Sequence, residues 1–136
     1  YYRELVAAVP AHAPALSNLA SLVARRGGAD EADALYARAI DADPTFLDAR
    51  FNRGNFLRRS GRFADAAGEY EEVLRRAPDH PHALLNLGLA VSDAGDWPRA
   101  AECFARAAAV APDLPDALLL FADALLRTGR PAEALA

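Results

Sequence analysis

PTFLDARFNRGNFLRRSGRFADAAGEYEEVLRRAP, residues 44–78, runs from one proline to the next and holds two stretches whose apolar residues are spaced three and four apart. That spacing marks a helix with one buried face, so each stretch of about 12 to 14 residues reads as a helix. Gly61 lies between the two, where a residue with positive φ can end one helix and turn the chain. Pro44 and Pro78 bound the segment, since a proline lacks the amide hydrogen and its ring clashes with the preceding turn. So short a connection makes the two helices antiparallel. The segment is predicted to be a helical hairpin.

The same punctuation recurs outward in both directions. Pro10, Pro44, Pro78 and Pro112 stand at a strict 34-residue interval, and Gly27-Gly28, Gly61, Gly95 and Gly129 mark the inner turns. Asn18, Asn52 and Asn86 keep the phase, as do Ala20, Gly54, Gly88 and Ala122, then Ala32, Ala66, Ala100 and Ala134, then Tyr2, Tyr36, Tyr70 and Phe104. A period held along the whole chain is the mark of a repeat architecture. The small residues let two helix backbones approach closely, and the aromatic ring supplies the large apolar area that seals one hairpin on the next.

These small residues, the aromatic and the terminal proline, in this order and at this period, resemble the tetratricopeptide repeat. The resemblance covers essentially the entire chain. It implies an all-α fold, a right-handed superhelical solenoid of antiparallel helix hairpins, with the first helices of the hairpins lining a concave surface. Residues 1–12 read as the end of a preceding repeat, with Tyr2, Leu5 and Pro10 on its second helix. Residues 13–46, 47–80 and 81–114 are three full repeats, and residues 115–136 are a partial one. Seven substantial helices and a stub of an eighth are expected.

One repeat departs from the pattern. Leu19 and Leu87 precede the small residue of their first helices, but Arg53 stands at that place in the middle repeat. The same repeat has Glu71 where its neighbours have Ala37 and Ala105. A charge on a packing face is costly unless paired, so either Arg53 pairs with Glu71 or it extends its stem and keeps its charge in water.

Composition narrows the function. The 136 residues are 53% hydrophobic with a net charge of -4, and arginines alternate with acidic residues, so no basic field is available to neutralise a phosphate backbone. Nucleic acid is not an expected partner. The longest apolar run, Ala117 to Ala122, is far shorter than the roughly 20 residues of a membrane helix, so no membrane insertion is expected. The N-terminus shows no signal-peptide pattern, and the expected compartment is the cytoplasm. Every basic residue is Arg and Ala dominates, a bias that suits a GC-rich, bacterial coding sequence.

Catalysis finds no foothold in this pattern, and no catalytic residue, metal or cofactor is expected. His12, His80 and His82 lie near inter-repeat loops without a nucleophile at a useful spacing, and the single cysteine, Cys103, reads as a small packing residue. No Cys/His spacing matches a zinc site.

A binding face is the better prospect. Helical spacing places Ser17, Asn18 and Ser21 inward on one first helix, Phe51, Asn52, Asn55 and Arg59 on the next, Leu85, Asn86 and Leu89 on the third, and Leu119, Leu120 and Asp123 on the fourth. A carboxamide both donates and accepts, so it can pair with a backbone amide whatever side chain the ligand carries. First helices roughly 10 Å apart match about three residues of an extended chain at roughly 3.3 Å each.

Asn18, Asn52 and Asn86 resemble the asparagine ladder in the repeat region of O-linked N-acetylglucosamine transferases. The resemblance implies that these three hold a peptide backbone, and a local helix- or water-bonding role is the alternative. Leu120 interrupts the series. The carboxylate clamp of chaperone-binding repeats needs basic side chains at places that here hold Ser17, His82 and Asn86. The expected site is therefore Asn18, Asn52, Asn55, Asn86, Phe51, Leu85 and Leu89, and the expected partner a protein or extended peptide. An assembly module that self-associates through its ends or its outer wall is one alternative. The targeting region of a larger enzyme, such as a bacterial glycosyltransferase, is another.

Overall fold

Gly27, Gly61, Gly95 and Gly129 take φ of 86°, 80°, 92° and 78°, values that residues with a side chain rarely adopt. They are the structural beat of the chain. The computed structural model describes residues 12–129, and among these there are seven α-helices and no strand. The expected preceding helix with Tyr2, Leu5 and Pro10, and the expected second helix with Ala134, lie outside the described residues.

The helices are α1 (Ala13–Arg25), α2 (Ala29–Ala42), α3 (Leu47–Arg59), α4 (Phe63–Arg76), α5 (Pro81–Asp93), α6 (Trp97–Val110) and α7 (Ala117–Arg127). α1, α3 and α5 begin 34 residues apart, and so do α2, α4 and α6. α7 begins at Ala117, later than Pro115, because the chain after Pro112 makes a further turn through Pro115 and Asp116 first.

Local chemistry sets the starts. His12 accepts from the amide of Ala15 through Nδ1 at 3.1 Å, and His80 accepts from Ala83 in the same way at 3.0 Å. Each satisfies one of the amides that a first helical turn leaves without a partner. Asp96 does so at α6, accepting from Arg99 at 3.3 Å. Asp43 folds the loop before α3 by accepting from Thr45 Oγ1 at 2.6 Å and Thr45 N at 3.0 Å, which holds its carboxyl below the usual carboxylate range.

Contacts divide the chain into two compact units, residues 1–56 and 57–136. In the first, α1 lies against α2 and buries Leu16, Leu19, Ala20 and Val23 with Ala32, Leu35, Tyr36 and Ala39. Tyr36 is buried, with its ring centroid 5.7 Å from that of Phe56. Its hydroxyl sits 2.7 Å from Ser21 Oγ, so burying the ring strands no polar group.

The second unit contains the last turn of α3 and α4 to α7. α4 lies against α5, α5 against α6, and α6 against α7. Leu84, Ala107 and Ala117 form a core cluster beneath Leu74, Leu85, Ala108 and Leu114. Gly88 shows why its register position is small: a Cβ there would lie 2.5 Å from Phe104 Cε1. Arg58 pairs with Asp93 at 3.2 Å, and Arg127 sits 4.6 Å from the Trp97 ring centroid.

Arg53 resolves differently from either expectation. Its Nε and Nη2 donate to Asp33 Oδ1 at 3.0 and 2.9 Å, while Glu71 accepts from Arg99 Nη2 at 2.9 Å. The carboxylate that answers Arg53 comes from α2, within the same unit. Side-chain exposures of 25% for Arg53 and 31% for Asp33 show a half-buried pair rather than a solvated stem.

Candidate functional site

Asn18, Asn52 and Asn86 are each the sixth residue of their helices, α1, α3 and α5, so the 34-residue register holds in the helix boundaries. Asn18 is exposed. Asn52, Asn55 and Asn86 are half-buried, as are Phe51, Leu85 and Leu89. A half-buried carboxamide beside an apolar side chain suits a ligand backbone, since the flanking apolar surface excludes water from the hydrogen bond.

In the first unit, Asn52 Nδ2 donates to Ser17 Oγ at 3.1 Å. Ser17 is 1% exposed, so the residue expected to line the inner face lies beneath it instead. Ser21, also expected to line that face, is occupied by the Tyr36 hydroxyl. Both serines are small enough to sink between helices, which spacing along one helix does not reveal.

In the second unit, the Asn86 carboxamide is hydrogen-bonded to the Tyr70 hydroxyl. Burial pushes the Tyr70 phenol up to about 12, against the opposing pull of the Arg58 and Arg59 charges and the Asn86 hydrogen bond. Neither Ser17 nor Tyr70 stands out in the sequence as a partner of an asparagine. Tyr70 reads there as a packing ring, and its hydroxyl is the missed feature. Leu119 is 72% exposed on α7, Leu120 is half-buried, and Asp123 pairs with Arg127 at 3.0 Å.

His12, His80 and Cys103 have structural places. His12 and His80 hold helix starts. Cys103 is buried, which raises its thiol above the usual range and disfavours the thiolate. Glu72 pairs with Arg75 at 2.6 Å, and Glu71 with Arg99. Among the described residues no group of three or more His, Cys, Asp and Glu is placed to hold a metal ion, and no helix is long and apolar enough to cross a membrane.

Comparison with known proteins gives a consistent picture. The chain superposes on crystalline MamA with a TM-score of 0.88 at 19% identity, covering 98% of this chain and 78% of that one. It superposes on YrrB, described as a TPR protein with an unusual peptide-binding site, with a TM-score of 0.81 at 21% identity, covering 98% and 69%. The first TPR of Spaghetti (RPAP3), bound to the HSP90 peptide SRMEEVD, gives 0.80 at 20% identity, covering 86% and 93%. These likenesses show the fold. No match is found among curated protein sequences. The sequence profile of the tetratricopeptide repeat matches residues 18–81, 51–91 and 85–136. With that profile over most of its length, and helices that start 34 residues apart, the chain belongs to the tetratricopeptide-repeat family.

Proposed function

We propose that this chain is a non-catalytic scaffold that holds an extended peptide, or an extended segment of a partner protein, along the inward faces of its first helices. The observation that carries the reading is the register of Asn18, Asn52 and Asn86, one carboxamide at the same place on α1, α3 and α5. Such groups recognise a backbone, so the ligand is selected for being extended more than for its side chains. Phe51, Leu85 and Leu89 add apolar contact beside the carboxamides. Two of the structural neighbours are described by their peptide binding, which agrees with this reading.

The experiment is a selection from a displayed library of random heptapeptides, followed by N-methylation of the binders one residue at a time. Backbone capture predicts binders with little shared sequence whose affinity drops when particular amides are methylated. Binders that tolerate methylation throughout, or that need one fixed charged side chain, would contradict it.

A second reading, assembly through α7, is favoured by one observation. Leu118, Leu119 and Leu126 are 61%, 72% and 56% exposed, an apolar surface too wide for a free helix in water.

A further inference from the structure

A carboxamide meets a passing backbone productively only when its plane is already turned toward it, because its donor and acceptor sit on opposite sides of one rotor. Two of the three ladder asparagines have that rotor held from behind. Asn52 donates one N–H to Ser17 Oγ at 3.1 Å, and Ser17 is itself buried. Asn86 is hydrogen-bonded to the hydroxyl of Tyr70, whose side chain is also buried.

In both cases the hydroxyl comes from the repeat before. Ser17 lies on a first helix, α1, and Tyr70 on a second helix, α4, so different residues serve the same register position. Asn18 differs: it is exposed, and its side chain makes no hydrogen bond to another described residue. A hydroxyl is suited to this task, since it can accept one N–H of the carboxamide and leaves the oxygen and the second N–H to other partners.

We propose that Ser17 and Tyr70 are positioning residues for peptide capture, each fixing the carboxamide plane of the next repeat's ladder asparagine before a ligand arrives. The proposal rests on the ladder reading given above. Asn52 and Asn86 are thus preoriented before a ligand arrives. Ordering one rotor-rich side chain on binding corresponds to roughly a two- to tenfold change in affinity. Replacing either buried hydroxyl should therefore weaken peptide binding by about that factor, without removing any atom that touches the peptide.

The test has two arms. The first needs no ligand: water exchange of the side-chain NH2 groups of Asn18, Asn52 and Asn86 is measured by NMR in the 15N-labelled chain. Asn52 and Asn86 should exchange more slowly than the amide of a free asparagine at the same pH and temperature. Ser17→Ala should speed the exchange of Asn52 and leave Asn86 slow, and Tyr70→Phe should do the reverse. Exchange of Asn52 as fast as that of free asparagine in the unaltered chain, or unchanged by Ser17→Ala, would overturn the proposal.

The second arm uses a heptapeptide from the display selection. Ser17→Ala and Tyr70→Phe should each weaken it roughly two- to tenfold. If Asn52→Ala weakens the peptide but Ser17→Ala does not, the positioning role fails and the ladder stands. If Asn52→Ala and Asn86→Ala leave the affinity unchanged, it is the ladder reading that fails.

Discussion

Arg53 and Asp33 meet through two nitrogens on one carboxylate oxygen, Nε at 3.0 Å and Nη2 at 2.9 Å, at a place where the neighbouring repeats carry leucine. The pair joins α3 to α2 and lets a charge stand on a packing face. A half-buried pair gains from its hydrogen bonds but gives up hydration, so its net value is small, while loss of one partner leaves a charge poorly solvated.

Asp33→Asn is expected to lower stability by about 1 kcal/mol. The double replacement Arg53→Leu, Asp33→Ala, which restores the residues found at Leu19 and Leu87 and at Ala67 and Ala101, is expected to be neutral or stabilising, because apolar replacement of a whole partly buried pair often is. Urea denaturation of both variants checks this. A large loss in the double variant would show that the pair contributes more than the packing that replaces it.

Gly88 and Gly68 should respond to alanine with opposite signs. A Cβ at Gly88 would lie 2.5 Å and 2.7 Å from two carbons of the buried Phe104 ring, whereas one at Gly68 has nothing within 4 Å. Helix propensity favours alanine by roughly 1 kcal/mol at either place, and overpacking costs typically 1 to 3 kcal/mol. Gly68→Ala should therefore gain about 0.5 to 1 kcal/mol and Gly88→Ala should lose about 1. Thermal melts of the two variants give the signs directly.

Tyr70 makes the fold sensitive to alkali. Its phenol is raised to about 12 by burial, from an ordinary value of 10.0. Below the ordinary value both folded and unfolded chains keep the proton, and stability does not change on this account. Between the two values the unfolded chain releases a proton that the folded chain retains, so stability falls as pH rises, by an amount of order 2 kcal/mol. Urea midpoints measured from pH 9 to 12 should drop less in Tyr70→Phe than in the unaltered chain. Parallel curves would contradict the assignment.

Much of this architecture was legible in the residues because each recurring signal has a local cause. Gly61 and its counterparts end helices by a positive φ, and Pro44 and Pro78 stop them by lacking an amide hydrogen, so neither depends on distant neighbours. What stayed hidden was tertiary choice. Asp33 is one of several acids on α2, and only the packed helices decide that it faces Arg53. Ser17 sits on the predicted inner face of α1, but its burial depends on where α3 lies. α7 starts at Ala117, not at the register position Pro115, because a turn through Pro115 and Asp116 competes with a helix beginning there.

The exposed leucines of α7 predict self-association in concentrated solution. Leu119→Glu should shift any oligomer toward monomer without changing the helical content, since Leu119 is 72% exposed and supports no core. Light scattering across a concentration series reads the outcome. A monomer at every concentration would remove the assembly reading.

Calorimetry of a selected heptapeptide with the unaltered chain and with the Asn52→Ala, Asn86→Ala double variant measures what the asparagines contribute to peptide capture. Loss of two hydrogen bonds at about 0.5 to 1.5 kcal/mol each predicts binding weaker by roughly 1 to 3 kcal/mol. Circular dichroism should show the same helical content, so that the loss belongs to the site. Affinity unchanged within error in a folded double variant would contradict the account.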